Sequence, residues 1–161
     1  MFYLDLFSAL KRHKVEYVLI GGLAISLHGI ERATMDIDVT VAMTPENLVS
    51  LVEMARELGM TPVLPVELET LTDLEQLAQW HRERNLDAFA LKAPGSAGVT
   101  LDVLLYPPLD FAGVRERAVI FRAAEVPVVV ACIDDLIALK QAVGRPIDLT
   151  DIEHLKRLKE T

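Results

Sequence analysis

The fold of this 161-residue chain is decided by two segments, Tyr17-Val18-Leu19-Ile20-Gly21-Gly22 and Asp36-Ile37-Asp38-Val39-Thr40-Val41. The first predicts an apolar strand that runs into two glycines, which can let a backbone approach a bulky group such as a phosphate. The second predicts another strand, and because side chains alternate faces along a strand, Asp36 and Asp38 share one face. Two carboxylates about 6–7 Å apart on a strand face can converge on one divalent cation.

The spacing of this acidic pair is weak evidence for a site when taken alone. Aspartate and glutamate make up 24 of the 161 residues, a composition that predicts roughly three or four such pairs. The chain contains four, at positions 36/38, 67/69, 73/75 and 151/153. The setting of the first pair is stronger evidence, because aspartate is depleted in strands and here two stand in one strand downstream of a Gly-Gly pair.

A third acidic residue, Asp102, lies in the middle of the apolar segment 99–105. An ionised carboxylate buried without a partner is very costly. Asp102 therefore needs a cation, a cluster of hydrogen-bond donors, or a place at an exposed strand end near the following Tyr106-Pro107-Pro108. The first two options indicate a site that it shares with Asp36 and Asp38, and the third indicates an ordinary sheet edge.

Apolar periodicity and turn signals predict an α+β protein in which helices flank a mixed sheet. The predicted helices are 3–13, 24–28, 45–58, 72–85, 111–117, 134–143 and 148–159. The predicted strands are 17–20, 36–41, 63–66, 88–91, 99–105, 118–124 and 126–131, the fourth and fifth of which form a hairpin. No repeat, low-complexity stretch or linker divides the chain, so residues 1–161 are expected to form a single domain.

Charge and composition exclude several classes of protein. The net charge of −8 argues against a protein that coats nucleic acid through a broad basic surface. Although 52% of residues are apolar, no apolar run approaches the roughly 18 residues of a membrane span. The N-terminus lacks signal-peptide features, and the single cysteine, Cys132, fits a reducing compartment. We expect a cytoplasmic protein that has no membrane partner.

Three basic residues are candidates for binding phosphate. Lys140 follows an apolar helical stretch, so its stem can lie along the core while its ammonium reaches a phosphate. Arg145 lies in the turn just after, and Arg32 lies between the glycines and the aspartates. The alternative for Lys140 and Arg145 is an ion pair with Asp148 or Asp151, and the sequence leaves both readings open.

These motifs resemble the DNA polymerase β-type nucleotidyltransferase superfamily, and more closely its AbiEii-like abortive-infection and toxin group. The first motif that carries the resemblance runs from Gly21-Gly22 through His28-Gly29, Arg32 and Thr34 to Asp36-Ile37-Asp38. The second comprises residues 135–140, Gly144-Arg145-Pro146, Asp148 and Asp151-Ile152, whereas residues 60–85 carry no resemblance. The superfamily's usual Gly-Ser is Gly-Gly here, so phosphate contacts would have to come from backbone N–H groups.

The resemblance implies the polymerase β-type nucleotidyltransferase fold and a reaction that moves an NMP from an NTP to a hydroxyl acceptor. The implied catalytic residues and ligands of Mg²⁺ (or Mn²⁺) are Asp36, Asp38 and Asp102. The implied nucleotide-binding residues are Gly21, Gly22, Arg32, Thr34, Lys140 and Arg145. The acceptor is an RNA end, a protein or a small molecule, and the sequence does not choose among them.

The resemblance also implies a place in a toxin–antitoxin or phage-defence system, with an antitoxin or toxin as partner protein. The alternative is a non-catalytic member of such a pair that binds a nucleotide or a partner. Metal-dependent transfer of an α-phosphate label to any acceptor separates the two.

Overall fold

The structure, a computed structural model, describes residues 2–32, 34, 36–95 and 98–161. Its helices are α1 (Phe2–Arg12), α2 (Gly21–Leu27), α3 (Pro45–Glu57), α4 (Leu74–Arg84), α5 (Phe111–Arg117), α6 (Ile133–Val143) and α7 (Pro146–Glu160). Its strands are β1 (Tyr17–Ile20), β2 (Asp36–Val41), β3 (Thr61–Pro62), β4 (Ala88–Lys92), β5 (Thr100–Leu104), β6 (Val119–Ala123) and β7 (Val126–Val130). A 3₁₀ helix covers Leu68–Thr72.

Within the described residues the strands form one mixed sheet in the order β3-β4-β5-β2-β1-β7-β6. The pairs β2–β5 and β1–β7 are parallel, and the other four neighbouring pairs are antiparallel. Helices accompany this sheet throughout the chain, which confirms the predicted α+β class. None of the helices in the described ranges is long and apolar enough to cross a membrane.

The central strands β2 and β5 place apolar side chains on one face and acidic side chains on the other. Ile37, Val39, Leu101 and Val103 are fully buried in the core. The alternating residues Asp36, Asp38 and Asp102 therefore lie together on the opposite face. This confirms the alternation expected from the sequence.

The region of residues 60–85 differs from its prediction. The strand predicted at 63–66 is wrong, because β3 is only Thr61–Pro62, paired with Leu91 and Lys92 of β4. The Val63 N–H still donates to the Ala90 carbonyl at 2.9 Å, but the chain then bends toward Pro65, which has no N–H to continue the ladder. The helix predicted from residue 72 begins at Leu74 instead, since the side chain of Asp73 accepts a hydrogen bond from the Gln76 N–H at 3.0 Å and caps it.

Other elements agree with the sequence more closely. The hairpin of β4 and β5 is confirmed as an antiparallel pair, and residues 96 and 97 of its predicted loop lie outside the described residues. Thr44 caps α3 as predicted, with Pro45 at the first helical position. Helix α7 begins at Pro146 rather than at residue 148, since proline suits the first turn of a helix, where its missing N–H is not needed.

Asn47, in the first turn of α3, ties that helix to the chain on both sides of the β1–β2 pair. Its buried side-chain oxygen accepts from the Glu16 N–H at 2.7 Å, and its Nδ2 donates to the carbonyls of Glu16 at 3.0 Å and Ala42 at 2.9 Å. One side chain therefore satisfies three backbone groups.

We expect Asn47→Ala to lower the free energy of unfolding by about 2–3 kcal/mol, because the Glu16 N–H and the Ala42 carbonyl lose this partner, while the Glu16 carbonyl keeps only its bond from the Ala42 N–H. The matched variant Thr44→Ala removes a single capping bond of the same helix and should cost about 1 kcal/mol. Urea denaturation monitored by circular dichroism measures both. Equal losses in the two variants would show that Asn47 acts only as a helix-end residue.

Candidate functional site

The parallel pairing of β2 with β5 brings two carboxylates side by side. Asp38 and Asp102 are direct partners across these strands, and Asp36 is the partner of Thr100. The Thr100 hydroxyl donates to Asp36 Oδ1 at 2.7 Å. The structure therefore brings Asp36, Asp38 and Asp102 to one place, with Asp38 and Asp102 as the closest pair.

The electrostatics of this pair differ from those of ordinary surface acids. Burial, followed by the neighbouring negative charges of Asp102 and Asp36, raises the pKa of Asp38 to about 7 despite the opposing charge of Lys140. Burial and Asp36 also raise the pKa of Asp102, while hydrogen bonding by Asp38 and Thr100 lowers it. At neutral pH the two carboxylates therefore repel each other, and binding of a proton or of another cation relieves that repulsion.

Gly21 has a structural reason for being glycine. Its φ of +76° is in the left-handed region, and a Cβ at this position would lie 2.2 Å from Asp38 Oδ2 and 3.0 Å from Asp38 Cβ. The bulky group that approaches Gly21 is therefore the Asp38 side chain. Gly22 is different, because a Cβ there would meet Arg32 Nε and Thr34 Cβ at 3.4 Å, which is nearly ordinary contact.

A cavity of about 500 Å³ opens beside Asp38 and Gly21. Its charged lining includes Lys140 and Arg145. Its apolar wall is formed by Leu104, Tyr106, Pro107, Leu136, Leu139 and Val143. Sequence reasoning missed this wall: it took residues 106–108 only as the end of a strand, although residues 136, 139 and 143 have the spacing of one helix face.

The basic residues are engaged in ion pairs. Lys140 Nζ lies 3.1 Å from Asp148 Oδ1 and 3.2 Å from Asp151 Oδ2. Arg145 Nε donates to Asp148 Oδ2 at 2.8 Å, and Arg32 pairs with Asp151. The alternative that the sequence left open for Lys140 and Arg145, an ion pair with these aspartates, is therefore present. Lys140 nevertheless lines the same cavity as Asp38.

Thr34 precedes the acidic strand and fixes its entry. The Thr34 hydroxyl donates to the Asp36 carbonyl at 3.0 Å and accepts from the Asp36 N–H at 3.2 Å. These local bonds stabilise the backbone that presents Asp36.

The donor chemistry of the acidic pair suits a hard cation, because Mg²⁺ and Mn²⁺ prefer carboxylate oxygens and two adjacent acids lack full compensation. In the described part of the chain, no three histidine, cysteine or acidic side chains already stand as a set of metal ligands. Asp36 is instead held by Thr100. The pair of Asp38 and Asp102 is thus the assembled part of the predicted site.

Comparison with solved structures identifies the fold. The solution structure of the antibiotic-resistance factor ANT(2'')-Ia matches with a TM-score of 0.58 and 16% identity, over 96% of this chain and 78% of that one. The lincomycin-bound lincosamide antibiotic adenylyltransferase LnuA matches with a TM-score of 0.59 and 14% identity, over 94% and 92% of the two chains. ANT(2'')-Ia in complex with adenylyl-2''-tobramycin matches with a TM-score of 0.54 and 15% identity, over 97% and 91%.

The chain therefore has the polymerase β-type nucleotidyltransferase fold predicted from its motifs. No protein-family model matches it, and no curated protein matches it in sequence. The AbiEii-like group stays a prediction from the sequence.

Exchange of the two glycines for alanine tests the close approach of Asp38. We expect Gly21→Ala to lower the free energy of unfolding by about 2–4 kcal/mol, because it combines a left-handed backbone with a clash. Gly22→Ala should lower it by less than about 1 kcal/mol. Thermal and urea unfolding compare the two variants, and a Gly21→Ala protein as stable as Gly22→Ala would contradict the packing described.

The pH dependence of stability tests the electrostatics of Asp38. A carboxyl whose pKa rises on folding contributes stability that is full below its unfolded pKa near 4 and is lost as the pH rises through about 7. Asp38→Asn removes this loss, so at pH 8 it should exceed the wild type in unfolding free energy by roughly 1–3 kcal/mol, with little difference at pH 4. Urea denaturation at several pH values, with the exposed Asp5→Asn as control, measures it. An Asp38→Asn protein less stable at pH 8 would mean that the ionised carboxylate stabilises the fold.

Proposed function

We propose that this protein is a metal-dependent nucleotidyltransferase that moves an NMP from an NTP to a hydroxyl group of an acceptor. The observation that carries the proposal is the pairing of Asp102 with Asp38, because Asp38 lines a cavity of about 500 Å³ that Lys140 also lines. The nucleotidyltransferase fold also supports the proposal. Fold alone does not define function, but here it occurs together with an acidic pair beside a cavity.

Asp36, Asp38 and Asp102 would hold Mg²⁺ or Mn²⁺. The fit rests on the direct pairing of Asp38 with Asp102 and on their raised pKa values, because adjacent half-buried carboxylates bind cations to relieve their repulsion. Completion of the set requires Asp36 to turn from its bond with Thr100. In such sites two divalent cations supply stabilisation of the entering and leaving oxygens during in-line displacement at the α-phosphorus.

The protein's own groups would prepare the acceptor and hold the nucleotide. Asp102, whose pKa is raised, is suited to accept the proton of the attacking hydroxyl. The hydroxyl oxygen forms a bond to the α-phosphorus. The bond from that phosphorus to the oxygen bridging the α- and β-phosphates breaks, and pyrophosphate leaves. Lys140 would offset the triphosphate charge from the cavity wall. We further assign Gly21, Gly22, Arg32, Thr34 and Arg145 to the nucleotide-binding side of the site.

A small hydroxyl-bearing molecule is the acceptor that the site favours. The cavity volume falls in the range of small-molecule sites, and its wall is largely apolar. The net charge of −8 disfavours broad contact with RNA. ANT(2'')-Ia and LnuA are antibiotic-resistance and antibiotic-adenylylating proteins respectively, which agrees with a small acceptor. The alternative acceptors are an RNA end and a protein hydroxyl.

The second candidate is a non-catalytic protein that binds a nucleotide or a partner protein. The observation that favours it is the pairing of Lys140, Arg145 and Arg32 with aspartates, which already compensates much of their charge. Membership of a toxin–antitoxin pair rests on the motif resemblance alone.

Incubation with each α-labelled NTP, Mg²⁺ or Mn²⁺, and pools of RNA, proteins and small alcohols should label one acceptor class. Asp36→Ala and Asp102→Asn should each lower labelling by more than about a hundredfold, since each removes a group that acts on the reacting atoms. Asp5→Asn is the control and should leave labelling unchanged.

The result that contradicts the enzymatic proposal is the absence of label on every pool with all four nucleotides and both metals. Nucleotide binding without transfer, measured by calorimetry, would then support the non-catalytic candidate.

A further inference from the structure

Five charged side chains from four parts of the chain meet in one cluster, and three of them, Lys140, Arg145 and Asp148, also line the cavity. The cations are Arg32, from the segment before β2, Lys140 from α6, and Arg145 from the turn that follows. The anions are Asp148 and Asp151, both on α7 and both almost fully buried, at 0% and 5% exposure. Three positive and two negative charges leave the group with one net positive charge.

Asp151 is the residue that joins two of the cations. Its carboxylate pairs with Arg32 and lies 3.2 Å from Lys140 Nζ. Asp148 holds Lys140 from the other side at 3.1 Å and also binds the Arg145 N–H and guanidinium at the start of α7. Asp148 therefore has an additional role in capping the helix, whereas Asp151, a turn further on, has no capping bond.

These contacts determine where the ammonium of Lys140 lies. A lysine side chain is flexible, and Lys140 lines the same cavity as Asp38, whose pKa it already lowers. Without its two aspartate partners, we expect the ammonium to move toward Asp38 and to offset part of the negative charge of the acidic pair. Burial of unpaired carboxylates is costly, so the ion pairs are maintained in the folded protein.

We propose that Asp151 and Asp148 are positioning residues that fix Lys140 at the cavity wall and keep the Lys140 ammonium off the Asp38–Asp102 pair. This inference rests on the proposed function. The anchored ammonium then faces a triphosphate, and the acidic pair stays available for divalent metal. Removal of an anchor therefore weakens the binding of both nucleotide and metal, and it does so through Lys140.

A double-mutant cycle between Asp151 and Lys140 tests the coupling. The probes are the tightest-binding of ATP, GTP, CTP and UTP with Mg²⁺, and Mn²⁺ alone, both measured by isothermal titration calorimetry. Asp151→Asn should weaken nucleotide binding by about tenfold and should also weaken Mn²⁺ binding. In the Lys140→Met background, Asp151→Asn should weaken nucleotide binding no further, and Mn²⁺ affinity should return to at least the wild-type value.

Glu153→Gln is the matched control, because it makes the same carboxylate-to-amide change at an exposed position of α7. It should leave both affinities unchanged. A purely structural role for Asp151 predicts that losses add in the double variant and that Lys140→Met does not restore Mn²⁺ binding, and that result would overturn the inference.

Asp151→Glu keeps the test decisive if Asp151→Asn does not fold. It retains the charge but moves the carboxylate by one methylene, so nucleotide affinity should fall severalfold, and this effect should disappear in the Lys140→Met background. Additive effects would again overturn the inference. If the wild-type protein binds none of the four nucleotides, the proposed function fails together with the inference; if it binds one and the cycle is additive, only the inference fails.

Discussion

The parallel register of β2 and β5 is the constraint on which the rest of the site depends. It makes Asp38 and Asp102 direct neighbours on one face, while Ile37 and Leu101 are neighbours in the core on the other. A slip of either strand by one residue would place carboxylates in the core and apolar side chains outside. Burial of the apolar face therefore fixes the position of the acidic pair. The stability of the core offsets the unfavourable repulsion between the two carboxylates.

The positive charges near the pair do not cancel it. Lys140 is shared among Asp148, Asp151 and the field of Asp38, and so its compensation of the acidic pair is partial. Burial, followed by the charges of Asp102 and Asp36, keeps the pKa of Asp38 raised despite Lys140. Because Lys140 is committed to other anions, negative charge at the acidic pair stays available for an external cation, and this separates the site from an ordinary internal salt bridge.

Much of the central sheet could be predicted because it depends on local patterns. The alternation in residues 36–41, the Thr44-Pro45 helix start and the β4–β5 hairpin each follow from neighbouring residues. The sequence also indicated that Asp102 needs a partner. It could not show that β5 lies directly beside β2, because that pairing joins segments some sixty residues apart and depends on strand order.

Other features escaped prediction for definite physical reasons. The short strand β3 and the bend after it depend on which backbone groups Pro62 and Pro65 leave unpaired. Whether Lys140 contacts a phosphate or forms an ion pair depends on where α7 packs. The turn at Gly144 directs α7, but the sequence of the turn does not specify the packing. The close approach of Asp38 to Gly21 was likewise a tertiary contact, so the glycine was interpreted as space for a ligand.

The low sequence identity to proteins of the same fold shows that few side chains are needed to specify this fold. Identities of 14–16% accompany TM-scores of 0.54–0.59, so the fold persists although most side chains differ. In this chain the register of β2 and β5 and the absence of a side chain at Gly21 fix the acidic pair through backbone geometry. The apolar wall, with Leu104 and Tyr106, lies outside that geometry and meets whatever enters the cavity. Positions of this kind can change without loss of the acidic pair, and it is there that the specificity of a site on a common fold is set.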